Sequence, residues 1–262
     1  MSIFEDTLDH YSTNNELSES NIYSKIIFAL LAILLNLMTG SPILPFLIFL
    51  LCSFLILYFA KIPLRFYATF MAIPLGFAVL SGIFLAFLGT GEQIWTLGFG
   101  IGITRGGINQ AILVFFRVLG GVAALGFLIL TTPMNRIFAI FHDLHVPAVI
   151  TDLAILMYRY IFLFLDVTAT MFNSQKTRLG YHSYMSWMKC LASLAGMVFI
   201  RTWEQGEISY KALASRGYNG QLNMIREGDS IKDVSIKDWI LIILFVVLSG
   251  AAIIFIGNWT LF

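Results

Sequence analysis

Two arginines stand where a long helical pattern gives way to glycine. Arg178 lies in TRLG, with Gly180 two residues on, and Arg216 lies in SRG, with Gly217 next. A guanidinium is always charged and offers its donors in a planar fork, so at a helix end it can clamp a carboxylate on another molecule. The same residues also suit plain structural service. A cation in the last turn complements the helix dipole, and a glycine beyond it accepts the left-handed conformation of a C-cap. Taken singly, each ending reads as a cap. Repeated at the close of two long amphipathic helices, the pattern points to docking through forked, charge-assisted bonds.

Other residues with chemical potential fall short of a site. His142 and His145 are spaced i,i+3 around Asp143 but lack a third ligand, and His10 and His182 stand apart, so no metal site is assigned. Cys52 and Cys190 have no C-x-x-C spacing and are expected as free, buried thiols. Asp152, Arg159 and Asp166 recur every seven residues and lie near one helix face. At membrane depth such a stripe would be a charge relay by default. On a cytoplasmic helix it is a solvated or partner-packed face, and the loop charges below favour that reading. No G-x-x-x-x-G-K-[ST] occurs, and the glycines of GFGIGITRGG follow no strand and lack G-x-G-x-x-G spacing. No phosphate-binding loop is therefore read in this chain, and no cofactor is assigned to it.

The elements that must carry these residues belong to a membrane protein. Hydrophobic residues make up 58% of the chain and charged residues 12%, against about half and about a quarter in soluble domains, and mean hydropathy is +0.84. At about 20 apolar residues per crossing, 262 residues hold about four to six spans and leave no room for a separate soluble enzyme domain. The net charge of +1, with no basic block apart from helix ends, argues against nucleic acid.

Residues 1–24 are polar and acidic, suited to a short tail or surface segment and unlike a cleavable signal. Apolar helix is expected from Lys25 to Met38, from Leu44 to Ala60 and from Ala68 to Leu88, separated by TGSPILP and KIPLR, with Pro74 placed to kink the third. Gly89–Gly107 reads as an interfacial or re-entrant connector. A fourth span, Ile108–Leu130, carries Gly120, Gly121 and Ala124, small residues that form a packing face. Beyond it Thr132 suits an N-cap and Pro133 the first position of a short interfacial helix, apolar at Ile137, Phe141 and Leu144.

Two longer amphipathic segments follow, Ala148–Leu179 and Tyr184–Arg216. In the second, Trp203, Gly206, Tyr210 and Leu213 share a stripe, while Arg201, Glu204, Glu207 and Lys211 occupy the other side, with Glu207 and Lys211 as an i,i+4 pair. The expected layout is a polar segment (1–24), a four-helix transmembrane region (25–131), a cytoplasmic domain of three amphipathic helices (132–220), a charged connector (221–238) and a C-terminal transmembrane helix (239–262). That is an all-α integral membrane protein of about five spans. With a cytoplasmic N-terminus, Lys25, Lys61, Arg65 and every cation from Arg136 to Lys237 fall inside, Arg105 alone lies in an outside loop, and Arg117 sits within a span.

This arrangement resembles a known family. A few N-terminal spans, a cytoplasmic pair of long helices closed by TRLG (177–180) and SRG (215–217), the approach RTWEQGEISYKALASRGYNG and one closing span are similar to the transmembrane coupling subunit of energy-coupling-factor transporters, above all to its cobalt type, CbiQ. The resemblance covers nearly the whole chain. It implies a subunit without catalysis. Thr177, Arg178 and Leu179, and Ser215, Arg216 and Gly217, would dock in grooves of two cytoplasmic ABC-type ATPase subunits (CbiO-like), with Arg201, Glu204 and Glu207 supporting the coupling helix. Motion would pass to a separate substrate-binding membrane subunit (CbiM-like, with or without a small CbiN-like one), which would hold the cobalt. The same scaffold role would serve nickel or a vitamin. Thr177 and Leu179 flank the first arginine where many relatives carry other small residues.

Two other classes are weighed. A lipid-modifying membrane enzyme would need a D-D-x-x-D cluster or an activated nucleophile, neither of which is visible. A stand-alone secondary transporter would show paired broken helices in two related halves, whereas here the amphipathic helices fall only in the second half.

Overall fold

Asn21 starts the first helix: its side-chain oxygen accepts a hydrogen bond from the Tyr23 N–H at 3.0 Å, an N-cap that opens α1 (Ile22–Met38). In the computed structural model the described residues are 11–13, 15, 17, 20–88, 93–96, 102–143, 146–218 and, near the C-terminus, 239, 242, 243, 245–247, 249 and 250. The expected connector 221–238, most of the C-terminal span, His10, His145 and the His142 side chain lie outside them. The described residues fall into two units, one within Leu8–Met134 with the residues beyond 238, the other within Asn135–Gly228.

In the first unit the turn at Thr39–Pro42 leads into α2 (Ile43–Phe54), which runs on as a π-helical turn, Leu55–Phe59. Lys61 takes a left-handed φ of 53°, and the Pro63 carbonyl accepts from the N–H groups of Phe66 and Tyr67. Helix α3 (Leu64–Leu88) therefore begins earlier than expected and takes Arg65 into its first turn, with Pro74 in its interior. The stretch read as a connector without a strand contains a short antiparallel ladder, β1 (Gln93–Thr96) on β2 (Gly102–Thr104). Thr104 then caps α4 (Arg105–Thr131), its hydroxyl accepting from the Gly107 N–H at 3.2 Å.

Small residues set the approach of these helices. A Cβ on Gly120 would stand 2.7 Å from the Pro45 carbonyl oxygen and 3.3 Å from Asn36 Oδ1, one on Gly121 would stand 3.2 Å from Asn36 Nδ2, and one on Gly126 would stand 3.0 Å from the Phe70 ring. Ala124, Ile48, Cys52 and Leu130 are buried in the core, whereas Met38, Ile73 and Phe77 lie exposed on the outer surface, as lipid-facing residues do.

Two polar contacts close helix ends within this unit. Arg117, a cation inside a span, donates through Nη2 to the Thr39 carbonyl at 2.6 Å, and Asn36 Nδ2 returns a bond to the Arg117 carbonyl at 2.8 Å. The guanidinium thus serves the carbonyl end of α1. At the carbonyl end of α4, Asn15 Nδ2 donates to Leu130 at 3.1 Å and Lys25 Nζ to Thr131 at 2.8 Å, with a further bond from Lys25 to the Leu17 carbonyl. Lys25 is 4% exposed, and Ser12 and Asn15 are buried too. The N-terminal segment is therefore not a surface tail in its described part, because its polar groups are used against α4.

Among the described residues, three helices are long and apolar enough to cross a membrane, at Leu64–Phe87, Arg105–Thr131 and Val149–Thr177, while Ile22–Met38 and Ile43–Phe59 are shorter apolar helices. The described residues make an all-α membrane protein with a short two-stranded ladder. The third of these helices lies in the stretch expected as a cytoplasmic amphipathic domain; it is long and apolar enough to cross despite Asp152, Arg159 and Asp166 along it.

The second unit holds α5 (Met134–Asp143), α6 (Ala148–Thr177) and α7 (Tyr184–Ser215). Phe138 of α5 meets Tyr158 of α6 edge to face at 5.8 Å. The last two helices form a pair, considered next.

Candidate functional site

Helices α6 and α7 run antiparallel. Tyr160 and Ser209 share a hydroxyl–hydroxyl hydrogen bond near one end. Further along, Met171 and Gln175 line a shallow groove with Leu194 and Met197, and Gly180 lies against Cys190 at the other end. Rising residue numbers on one helix meet falling numbers on the other, so the two C-terminal ends, with their arginines, point to opposite ends of the pair.

The first tip ends in a Schellman motif. Arg178 is the C-cap, the Leu179 N–H bonds the Lys176 carbonyl at 3.1 Å, and the Gly180 N–H reaches the Gln175 carbonyl at 3.0 Å. The left-handed residue is Leu179, with φ 58°, and not the glycine expected there. Left-handed backbone costs an L-residue roughly 1–2 kcal/mol. Gly180 is required for another reason: a Cβ there would stand 2.6 Å from Cys190 Sγ and 3.0 Å from the Gln175 carbonyl. Cys190 is consequently half-buried under the tip, not fully buried as expected, while both cysteines are free thiols.

Side chains brace this turn. The Ser186 hydroxyl donates to the Gly180 carbonyl at 2.7 Å, the Tyr181 hydroxyl to Gln175 Oε1 at 2.6 Å, and His182 Nδ1 lies 2.7 Å from the Leu179 carbonyl. The Tyr181 ring packs on Phe172 at 4.8 Å. Desolvation, with a contribution from Cys190, raises the Tyr181 phenol above its ordinary pKa.

The second tip repeats the plan. Arg216 is the C-cap, the Gly217 N–H bonds the Ala214 carbonyl at 3.1 Å, and the Tyr218 N–H reaches Leu213 at 3.0 Å. Here the left-handed residue is a glycine, Gly217, with φ 76° and nothing near a would-be Cβ. The residue before each arginine is also equivalent: the Thr177 hydroxyl donates to Ser174 and the Ser215 hydroxyl to Ala212, both at 2.9 Å. Both arginines are exposed, and among the described residues neither guanidinium has an ion-pair partner. The geometry leaves two forked donors facing outward on rigid turns.

Arg201, Glu204 and Glu207 are exposed along α7. Glu207 lies 3.7 Å from Lys211, the expected i,i+4 pair, and accepts from Trp203 Nε1 at 3.1 Å. Trp203, Gly206 and Tyr210 of the expected stripe are exposed and Leu213 is half-buried, so the stripe is not what packs on α6. Ser209 does that, a position the sequence reading passed over; a tyrosine in the middle of an apolar helix, Tyr160, was the signal that a hydroxyl partner was needed. Of the seven-spaced charges, Asp152 is buried while Arg159 and Asp166 are exposed. Seven residues span about 10.5 Å of helix, beyond ion-pair reach, so they do not pair with one another. Among the described residues no three His, Cys, Asp or Glu side chains gather in a way that could hold a metal ion.

The sequence matches the CbiQ family model, described as cobalt transport protein, over residues 13–225. It is 39% identical to an uncharacterised protein of Methanocaldococcus jannaschii, over 91% of this chain and 89% of that one. It is 33% identical to a putative fused cobalt transport protein, CbiMQ, of Methanocorpusculum labreanum, over 88% of this chain and 39% of the fusion. With the cobalt transport protein CbiQ of Salmonella typhimurium it shares 28% identity, over 63% of this chain and 76% of the relative. Helix pair, arginine tips and family match lie on the same stretch of sequence, and the chain belongs to the CbiQ family of cobalt transport proteins.

Proposed function

We propose that this chain is the transmembrane coupling subunit of an ATP-driven, energy-coupling-factor uptake transporter for cobalt ions. It resides in the cell membrane with its N-terminus and helix pair in the cytoplasm, and it has no catalysis or cofactor of its own; α6 is long and apolar enough to span, but Asp152, Arg159 and Asp166 along it favour water over hydrocarbon. Two ABC-type ATPase subunits bind and hydrolyse ATP. A separate membrane subunit holds the ion, of the kind that the name of the fused CbiMQ relative joins to a CbiQ part.

One observation carries this reading: two unpartnered arginine C-caps at opposite ends of one antiparallel helix pair. From Cys190, which lies beside the first tip, to Arg216 at the end of α7 the helix rises about 39 Å. No single acidic groove serves both arginines over that length, whereas two like partners do. A helix pair bolted at Tyr160–Ser209 and at Gly180–Cys190 carries displacement, and a difference in contact between two ATPase states supplies the coupling free energy.

The test is co-purification in detergent of the wild-type chain and of an Arg178→Ala/Arg216→Ala variant, each co-expressed with CbiO-like ATPase subunits of the same organism. The variant should release the ATPase or leave its hydrolysis uncoupled from cobalt uptake. Equal retention with full uptake would reduce the arginines to helix caps and remove the basis of the assignment.

A further inference from the structure

The two tips share one capping plan but differ in the residue that takes the left-handed place. After Arg216 the left-handed place is filled by Gly217, which adopts it freely. After Arg178 it is filled by Leu179, which adopts it at an energetic cost. That cost is not recovered within the chain, because the Leu179 side chain is 73% exposed. The leucine is also held in place: its carbonyl meets His182 Nδ1 and its N–H the Lys176 carbonyl, while Gly180 behind it has no room for a side chain. An exposed apolar side chain on a backbone fixed in a strained conformation, beside a guanidinium with no ion-pair partner among the described residues, is the form of a binding anchor whose backbone is ordered in advance.

We propose that Leu179 is an apolar anchor for an ATPase subunit, which receives it in a small apolar pocket next to the carboxylate that takes Arg178. The first tip then docks at two points and the second by its guanidinium alone, so the two docking sites are chemically unequal. This inference rests on the docking role proposed above. Its sequence neighbours Ser174, Lys176, Thr177, His182 and Ser183 are polar and exposed, which fits a pocket beside a carboxylate; Tyr184 and Met185 beyond them are exposed and apolar, so the experiment below separates a protein pocket from lipid.

The experiment measures binding of the detergent-purified full chain to an immobilised CbiO-like ATPase subunit of the same organism, with melting temperature recorded for each variant. Leu179→Asn keeps a residue that tolerates left-handed backbone and removes the apolar group. It should bind at least about tenfold more weakly, the loss of one buried leucine, with its melting temperature unchanged or raised. Leu179→Met should bind within about threefold of wild type, because it keeps the apolar volume. Wild-type binding by Leu179→Asn, alongside loss in Arg178→Ala, overturns the anchor and leaves the docking role standing; a leucine that met lipid would give this result. Undiminished binding by both variants, or no binding by the wild type, overturns the docking role as well.

Discussion

The unit formed by α1–α4 buries its special residues, and the helix pair displays them. In the former, glycines mark places where another helix leaves no space, and charged side chains such as Lys25 and Arg117 end on backbone carbonyls of neighbouring helices. In the latter, α7 has no buried residue along its 32 positions, Gly196 and Gly206 face open space, and among the described residues the arginines at both tips have no ion-pair partner. The same residue types thus do internal work in one unit and remain available in the other. A unit with so little internal burial would be stabilised by any partner that binds its folded form.

The largest effect expected from this contrast is at Lys25. Lys25→Met removes the ammonium that donates to the Leu17 and Thr131 carbonyls; Leu17 keeps its bonds from Ser20, but the buried Thr131 carbonyl loses this donor, and the change should cost about 3 kcal/mol in thermal unfolding of the detergent-solubilised protein. A loss under about 1 kcal/mol would mean that water replaces the ammonium and the contact is not needed.

One substitution type sharpens the comparison by changing sign. Gly120→Ala drives a Cβ to 2.7 Å from the Pro45 backbone oxygen and should destabilise by about 1–3 kcal/mol. Gly206→Ala meets nothing within 4 Å and should stabilise by about 0.5–1 kcal/mol. Melting curves of the two single variants decide it, and equal signs would break the distinction between the units. If Gly206→Ala stabilises the chain alone yet lowers the yield of complex, a partner backbone approaches that glycine.

The smallest effect is expected at the exposed Glu207–Lys211 pair. Glu207→Ala should change stability by no more than about 0.5 kcal/mol. A larger loss would assign Glu207 a structural role through Trp203, whose indole also bonds it.

Much of this contrast is legible in the residues. The small-residue stripe of α4, the breaks at Thr39–Pro45 and near Pro63, the short helix after Pro133 and the two long helices ending at the arginines all follow from local rules of turn chemistry and helix period. The readings that changed depended on which residues meet in space. The segment 1–24 looks like a surface tail because it is polar, and nothing local reveals that Asn15 and Lys25 serve carbonyls 115 and 106 residues away. The glycine-rich stretch before α4 forms a ladder only because β1 and β2 are brought into register. At the first tip the sequence pattern offers glycine as the left-handed residue, but Cys190, ten positions further on, claims Gly180 for close packing and shifts that role to Leu179.

By itself the sequence determined the membrane class, the order of the helices and the position of both arginines, because apolar length, helix period and terminal chemistry act over a few residues. Only the tertiary structure decided that the tips lie at opposite ends of one pair, that Lys25 and Arg117 are committed to carbonyls, and which of two similarly capped tips carries a strained leucine. Those outcomes depend on which surfaces meet, and a linear chain does not contain that information until its helices pack.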